Sequence, residues 1–131
     1  MQFSGSTNWI RIPIKRSSLL DIFKDGTYKS TTQGRNRWKS LIDGTSLQIN
    51  CNREGFNVKR NDGIMFLRIG ILNNEQNDCA TPNSMLGFGT HYQLKCNGRP
   101  IVPAISCGNL ARCRSDNGDK SSPVMGYILV Q

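Results

Sequence analysis

The chain has 131 residues and a hydrophobic fraction of 37%, which fits one domain and argues against a multi-domain machine. Its apolar residues stand in short runs between 13 glycines and 5 prolines, far from the ~20 consecutive residues that span a bilayer. The net charge of +8 is uneven, because residues 1–70 hold 12 basic and 5 acidic side chains whereas residues 71–131 hold 5 and 4. This composition favours short strands, long loops and an acidic binding partner.

The first part of the chain predicts two short helices after an extended segment. Residues 9–14 alternate apolar and other side chains, but Pro13 lacks an N–H, so they predict at most an edge strand. Residues 17–26 begin with serine N-cap candidates, carry apolar side chains at helical spacing and end at Gly26, which predicts a helix of about two turns. Residues 38–44 repeat the helical spacing and close on Asp-Gly, which predicts a second short helical piece.

The remainder predicts strands and irregular loops. Residues 45–49 favour an extended strand. Asn-Asp-Gly at residues 61–63 predicts a hairpin turn, and the apolar run 64–72 predicts a central strand buried on most of both faces. Residues 73–120 show hardly any periodicity, which indicates functional loops or organisation by disulfides and metal. Dense apolar residues at 124–131 predict a last strand buried in the sheet.

Five cysteines are a large share for a chain of this length, and they favour an oxidising environment. They are Cys51, Cys79, Cys96, Cys107 and Cys113. Because none lies in a Cys-x-x-Cys pair, structural zinc is disfavoured. We expect two disulfides and one remaining thiol, which could join a partner chain in a homo-oligomer. The alternative is five reduced cysteines, mostly in the core of a cytosolic protein.

Catalytic motifs are scarce. His91 is the one histidine, and the sequence has no Gly-x-Ser-x-Gly, His-Glu-x-x-His or phosphate-binding glycine loop. A Cys-His dyad lacks any residue that would orient it. Asp116, Asn117 and Asp119 surround Gly118 as in part of a calcium loop, but without the distal glutamate they indicate a polar turn. We therefore expect a protein that is not an enzyme.

An oxygen-rich stretch follows the predicted central strand and resembles a metal-binding loop. Its amide and carboxylate side chains are Asn73, Asn74, Glu75, Asn77, Asp78 and Asn83. Calcium takes six to eight oxygen ligands, and two carboxylates with several neutral carbonyls suit an extracellular site of moderate affinity. The alternative is a solvated polar turn in which a disulfide tethers Cys79. Gly87 and Gly89 would then only allow tight backbone around Phe88.

A second cluster is basic and partly aromatic. It comprises Tyr28, Lys29, Arg35, Arg37, Trp38 and Lys39. Cations beside aromatic rings suit nucleic acid, but no RNA- or DNA-binding motif is present, and Trp38 at helical spacing with Leu41 favours a core position. Lys29, Arg35, Arg37 and Lys39 form instead a basic patch for acidic or sulfated polymers, as in an extracellular matrix or biomineral-associated protein. Nucleic-acid binding is a weaker alternative. A further alternative is that the positive charge serves only to keep the protein soluble.

The segments NREGFNV, RIGILNNEQNDC, LGFG, CGN and DNGDKSSPVMGYILVQ, in this order, resemble the C-terminal half of fibrinogen-related and intelectin-like extracellular domains, as found in corals and sea anemones. The resemblance covers residues 47–131 of a single domain, 1–131. Residues 1–46 lack the Gly-Gly-Gly-Trp-Thr-like opening of fibrinogen-type domains and are atypical.

The resemblance implies a secreted, disulfide-bonded α+β domain that binds calcium in irregular loops and a glycan nearby. With the patterns above, it predicts one small domain: a short, twisted, mostly antiparallel sheet, one or two short helices, and long irregular disulfide-tethered loops. The expected calcium ligands are Asn73, Asn74, Glu75, Asp78 and Asn83. Phe88, His91 and Tyr92 are the expected ligand-binding residues. Residues 83–85 lack the paired histidines of the family. Their absence argues against direct coordination of a sugar by the metal.

Overall fold

The structure is a computed structural model that describes residues 8–61, 66–90, 95–96, 99–100 and 106–131. Its elements are α1 (Leu19–Asp25), β1 (Lys29–Ser30), α2 (Arg35–Lys39), β2 (Asn50–Lys59), β3 (Phe66–Asn74), β4 (Ser84–Phe88), β5 (Lys95–Cys96), β6 (Arg99–Pro100), β7 (Cys107–Ala111) and β8 (Lys120–Pro123). Six strands form an antiparallel sheet in the order β1-β2-β3-β4-β7-β8, and β5 pairs with β6. The domain is thus small and mostly β rather than clearly α+β. None of the described helices is long and apolar enough to cross a membrane.

Both predicted helices form, and local signals explain their bounds. The Ser18 hydroxyl accepts the Asp21 N–H at 3.0 Å at the start of α1, and Gly26 ends the helix with a left-handed φ of 65°. The second helix, α2, begins at Arg35, before the predicted stretch of residues 38–44. It ends at Lys39, and the residues that were expected to extend it, 41 and 42, lie in the following turn and pack against the core.

The predicted hairpin is confirmed by the antiparallel pairing of β2 with β3. Phe56 lies opposite Ile69, and the pairing extends to Lys59 opposite Phe66. Of the predicted turn, residues 62 and 63 lie outside the described residues. Ile71 and Leu72 are both fully buried, although consecutive side chains of a strand point to opposite faces. Strand β3 is therefore covered on both faces, as the apolar run predicted.

A row of four glycines crosses the sheet at one level. Gly55 lies opposite Gly70, Gly70 opposite Gly87, and Gly87 opposite Gly108. A Cβ atom at any of the four would lie 2.0 to 2.2 Å from a carbonyl oxygen of a neighbouring strand. In this strand register, only glycine fits at these four positions.

Four expectations were wrong. Residues 73–120 are not one irregular region, because they include β4 and β7, so long disulfide-tethered loops are not what the described residues show. Residues 45–49 form no strand, and β2 begins at Asn50. Residues 124–131 form no strand either and are exposed, because the ladder with β7 ends at Pro123. The N-terminal residues 9–14 also form no strand.

The main core lies between the sheet and the segments that precede β2. Its buried members are Ile22, Trp38, Leu47, Phe56, Ile69, Ile71 and Leu86. Trp38 is 1% exposed, which confirms that it is a core residue rather than an exposed aromatic of a nucleic-acid site. Three isoleucines of residues 10–14 pack against the same core and hold the N-terminal segment on the domain.

Three of the described cysteines are disulfide-bonded and one is a free thiol. Cys51 at the start of β2 is bonded to Cys79 in the loop after β3. Cys113 is disulfide-bonded as well, whereas Cys107 is a free thiol. Burial raises the pKa of the Cys107 thiol, and a hydrogen bond from the Gly126 N–H opposes that rise. These bonds are consistent with an oxidising compartment.

Candidate functional site

The predicted calcium ligands lie where β3 ends and β4 begins. Asn73 is one residue from the end of β3 and lies opposite Ser84, the first residue of β4. The loop between the strands is tied to β2 through the Cys51–Cys79 disulfide. This is the tether that the polar-turn alternative requires, and a calcium loop could use it equally.

The asparagines and the acids of this loop differ in burial. Asn73 and Asn74 are fully buried and Asn83 is 7% exposed, whereas Glu75 and Asp78 are exposed. The Asn83 N–H donates to the Asn73 carbonyl oxygen at 3.1 Å. The loop therefore presents neutral amides inside and carboxylates at the rim.

Asn73 has one polar atom without a hydrogen-bond partner. Its Nδ2 donates to Asn52 Oδ1 at 2.6 Å and to the Asn50 carbonyl at 3.4 Å. Its Oδ1 is buried and accepts no hydrogen bond within the part of the chain that the structure describes. A buried acceptor without a donor costs about 1–3 kcal/mol, so this oxygen is where a cation or a water molecule would bind most favourably.

Gln48 joins two of the predicted ligands. Its Nε2 donates to Glu75 Oε2 and to the Cys113 carbonyl, both at 2.6 Å, and its Oε1 accepts the Asn83 N–H at 3.2 Å. Glu75 and Asn83 are thus held by one buried side chain. Sequence reasoning missed Gln48, because residues 45–49 resembled a strand.

Asn74 and Asp78 instead bond to each other. The Asn74 Nδ2 donates to Asp78 Oδ1 at 3.1 Å, and the same oxygen accepts the Ala80 N–H at 2.8 Å. Asn74 Oδ1 accepts the Glu75 N–H at 3.0 Å. These two predicted ligands shape the turn, so the structure divides the expected ligand set into an Asn73, Glu75, Asn83 group and an Asn74, Asp78 group.

Two of the three predicted ligand-binding residues, His91 and Tyr92, lie outside the described residues. The third, Phe88, is partly buried and packs against the main core. A Cβ atom on Gly126 would lie 2.5 Å from the Phe88 ring, so the C-terminal segment approaches this ring closely. Phe88 therefore acts in packing.

The predicted basic patch is largely paired with acidic residues. Lys29 pairs with Asp25 at 2.7 Å, and Arg35 and Lys39 both contact Asp116. Arg37 is exposed. Three of the four cations therefore act within the fold.

Asp116 links α2 to the segment of residues 45–48, which we call the strap. Its Oδ1 accepts the Leu47 N–H at 3.0 Å, and Arg35 donates to the Leu47 carbonyl at 2.7 Å and the Gln48 carbonyl at 2.8 Å. Burial opposes ionisation of Asp116, but Lys39, the Leu47 N–H and Arg35 together lower its pKa to about 2. The stretch of residues 116–119 is thus a polar turn that supports the strap.

The rest of the strap is satisfied by strand side chains. Asn109 on β7 accepts the Ser46 N–H and donates to the Ser46 carbonyl, both at 2.9 Å, and also donates to the Met85 carbonyl. The Gln48 N–H donates to Ser84 Oγ at 2.9 Å. Because the strap positions Gln48, these contacts also position Glu75.

Glu54 on β2 is a further buried carboxylate that sequence reasoning missed. Its donors are Thr31 Oγ1 at 2.6 Å, the Gly34 N–H and Trp38 Nε1 at 2.7 Å, and the Gln33 N–H at 3.0 Å. Burial opposes its ionisation, but these hydrogen bonds outweigh burial and lower the pKa of Glu54. All of its donors belong to residues 31–38, so Glu54 orders the loop before α2.

Together these features define a disulfide-bonded, mostly-β domain with a polar, partly buried loop at the β3–β4 end. Within the described residues, no group of three or more histidine, cysteine or acidic side chains could hold a metal ion, so a cation here would depend on amide oxygens. Comparisons with protein-family models, with curated proteins and with solved structures found no match to this chain.

Proposed function

We propose that the domain binds calcium at the β3–β4 end and that it is a secreted, lectin-like protein that recognises glycans in a calcium-dependent way. The observation that carries the metal site is the buried Asn73 Oδ1, which lacks a hydrogen-bond donor among the described residues. A calcium ion would satisfy this oxygen, since neutral carbonyl oxygens are normal calcium ligands.

The ligand set fits calcium in its chemistry. Asn73 on β3 and Asn83, which directly precedes β4, would supply neutral amide oxygens, and the exposed Glu75 would supply a carboxylate at the rim. Asn74 and Asp78 hold the turn that carries Glu75. With one carboxylate in the inner group, we expect weak affinity, with a Kd of about 10⁻⁴–10⁻³ M as in extracellular calcium modules.

The proposals of a glycan ligand and of a secretory location rest on observations other than the Asn73 oxygen. The resemblance of residues 47–131 to intelectin-like domains implies a carbohydrate ligand, and the disulfide bonds support a secretory location. Bound calcium would organise the β3–β4 end beside the glycan. The chain itself would orient that ion through Asn73 and through Glu75, which Gln48 holds in place.

A glycan array probed with and without calcium tests this function. We expect binding in 2 mM calcium, roughly four times a Kd of about 0.5 mM, and loss of binding in chelator. Glu75→Gln should lose most of the signal while it keeps an acceptor for Gln48. The matched control is Asp119→Asn, another exposed acid, which should bind normally. Binding that is equal with and without calcium contradicts the proposal, as does selective loss in the control.

A further inference from the structure

The cations of the first half divide into paired and unpaired ones. As described above, Lys29 contacts Asp25, and Arg35 and Lys39 contact Asp116, whereas Arg37 is exposed. Within the described part of the chain, no ion pair involves the exposed cations of residues 11–24. These are Arg11, Lys15, Arg16 and Lys24. Asp21 is the one acidic residue between positions 8 and 24, so this region carries a local excess of positive charge.

The N-terminal segment presents its cations from a fixed backbone. Ile10, Ile12 and Ile14 pack against the core, and the Ile14 N–H donates to the Ile12 carbonyl at 3.0 Å. Arg11 and Lys15, which lie between and after these isoleucines, are exposed. Because the backbone is already ordered, binding through these side chains loses less conformational entropy than binding through a free tail.

A cleft of about 150 Å³ adjoins this segment. Pro13 and Ile14 form one side and residues 30–33 the other. Glu54 fixes the second side by accepting from Thr31 and the Gln33 N–H. The Thr32 hydroxyl makes no hydrogen bond among the described residues and remains available. The cleft thus places the Thr32 hydroxyl beside the segment that carries Arg11 and Lys15, which suits a sulfated sugar unit.

The two tryptophans differ in exposure, and one of them belongs to this surface. Trp9 is 71% exposed, whereas Trp38 is 1% exposed. An exposed aromatic ring with an apolar face can lie against the apolar face of a sugar. Trp9 directly precedes the segment that holds Arg11, and a ligand that covers the cations could also cover its ring.

We infer that Trp9, Arg11, Lys15, Arg16 and the adjoining cleft form a binding surface for a sulfated polysaccharide. Charge alone would also fit nucleic acid or anionic lipid. The disulfides favour an oxidising compartment, where sulfated polysaccharides are the available polyanions. The Thr32 hydroxyl at the cleft adds a feature that suits sugars.

Titration of a size-defined heparin oligosaccharide by calorimetry, in chelator, tests the surface. Lys15→Gln combined with Arg16→Gln should weaken binding roughly fivefold to tenfold at 0.1 M salt, and affinity should fall steeply as salt rises. Thr32→Val should weaken binding about threefold without changing the salt slope, since it removes one uncharged hydrogen bond. Tryptophan fluorescence should change on binding in the native chain but not in Trp9→Phe.

The charge-matched control is Arg114→Gln with Lys120→Gln, which removes two cations of the second half. This control should bind the oligosaccharide within about twofold of the native chain. Equal losses in both double variants would overturn the inference. Tighter binding to DNA of equal charge density, or to phosphatidylserine vesicles, would also overturn it. The chelator separates this result from the calcium site, which can fail independently.

Discussion

The strap, residues 45–48, and the C-terminal tail, residues 124–131, reverse the usual relation between polarity and burial. The polar Thr-Ser-Leu-Gln strap is at most 3% exposed. The apolar tail exposes Leu129 by 91% and Met125 by 83%. The two segments differ in their hydrogen-bond partners. Side chains from α2, β4, β7 and the turn at 116–117 bond to the backbone of the strap. The tail lies beyond Pro123, where the pairing of β8 with β7 ends. Specific hydrogen-bond partners, and not hydropathy, determine which segment is buried.

The largest expected effect comes from removing a partner of the strap. Asn109→Ala leaves both backbone groups of Ser46 and the Met85 carbonyl without this side chain. We expect the free energy of unfolding to fall by about 3–5 kcal/mol, measured by urea denaturation. The control is Asn117→Ala, an exposed residue whose side chain donates to the Thr45 carbonyl, which should cost less than about 1 kcal/mol. Similar losses in both variants would contradict the role of Asn109.

An intermediate effect concerns pH and Asp116. Its folded-state pKa of about 2 lies below the ordinary 3.8, so the folded state binds this proton less readily than the unfolded state. The stability that results is present above pH 3.8 and is lost as pH falls toward 2. Because the side chain is 35% exposed, we expect a loss of only about 1 kcal/mol. Asp116→Asn should be less stable than the native chain at pH 6 and should flatten this part of the pH profile. An unchanged profile in the variant would assign the acid sensitivity to other groups.

Removal of the tail should change stability least. Deletion of residues 127–131 leaves Gly126, whose N–H contacts Cys107, in place. Because the deleted side chains are mostly exposed, we expect a change within about 0.5 kcal/mol in the free energy of unfolding, together with lower binding of a hydrophobic dye. A loss of several kcal/mol would show that the tail is packed in solution, and the contrast with the strap would not hold.

The sequence predicted what local patterns determine. Ser18 and Gly26 bound α1 through contacts within a few residues, and the apolar run of β3 indicated burial on both faces. Strands β4 and β7 were missed because Gly87 and Gly108 look like loop residues until they are placed opposite each other in the sheet. The strap was missed because Asn109 is 63 positions from Ser46.

For the candidate site, the sequence predicted the location of the loop but not the roles of its individual residues. Composition identified the oxygen-rich loop, but it could not separate Asn73, whose amide oxygen is buried without a donor, from Asn74 and Asp78, which bond to each other. That division depends on strand alternation and on Gln48, which comes from a distant segment. The ion pairs of Arg35 and Lys39 were not predictable for the same reason, since their partner Asp116 lies far along the chain.

The most direct test of the central proposal is thermal unfolding in calcium against chelator, at constant ionic strength. With a Kd of about 0.5 mM, 5 mM calcium should stabilise the native chain by about 1.4 kcal/mol and raise Tm by roughly 3–6 °C. Glu75→Gln should lose most of this rise, and Asp119→Asn should keep it. A native Tm that is identical in calcium and chelator would contradict the calcium site built on Asn73 and Glu75.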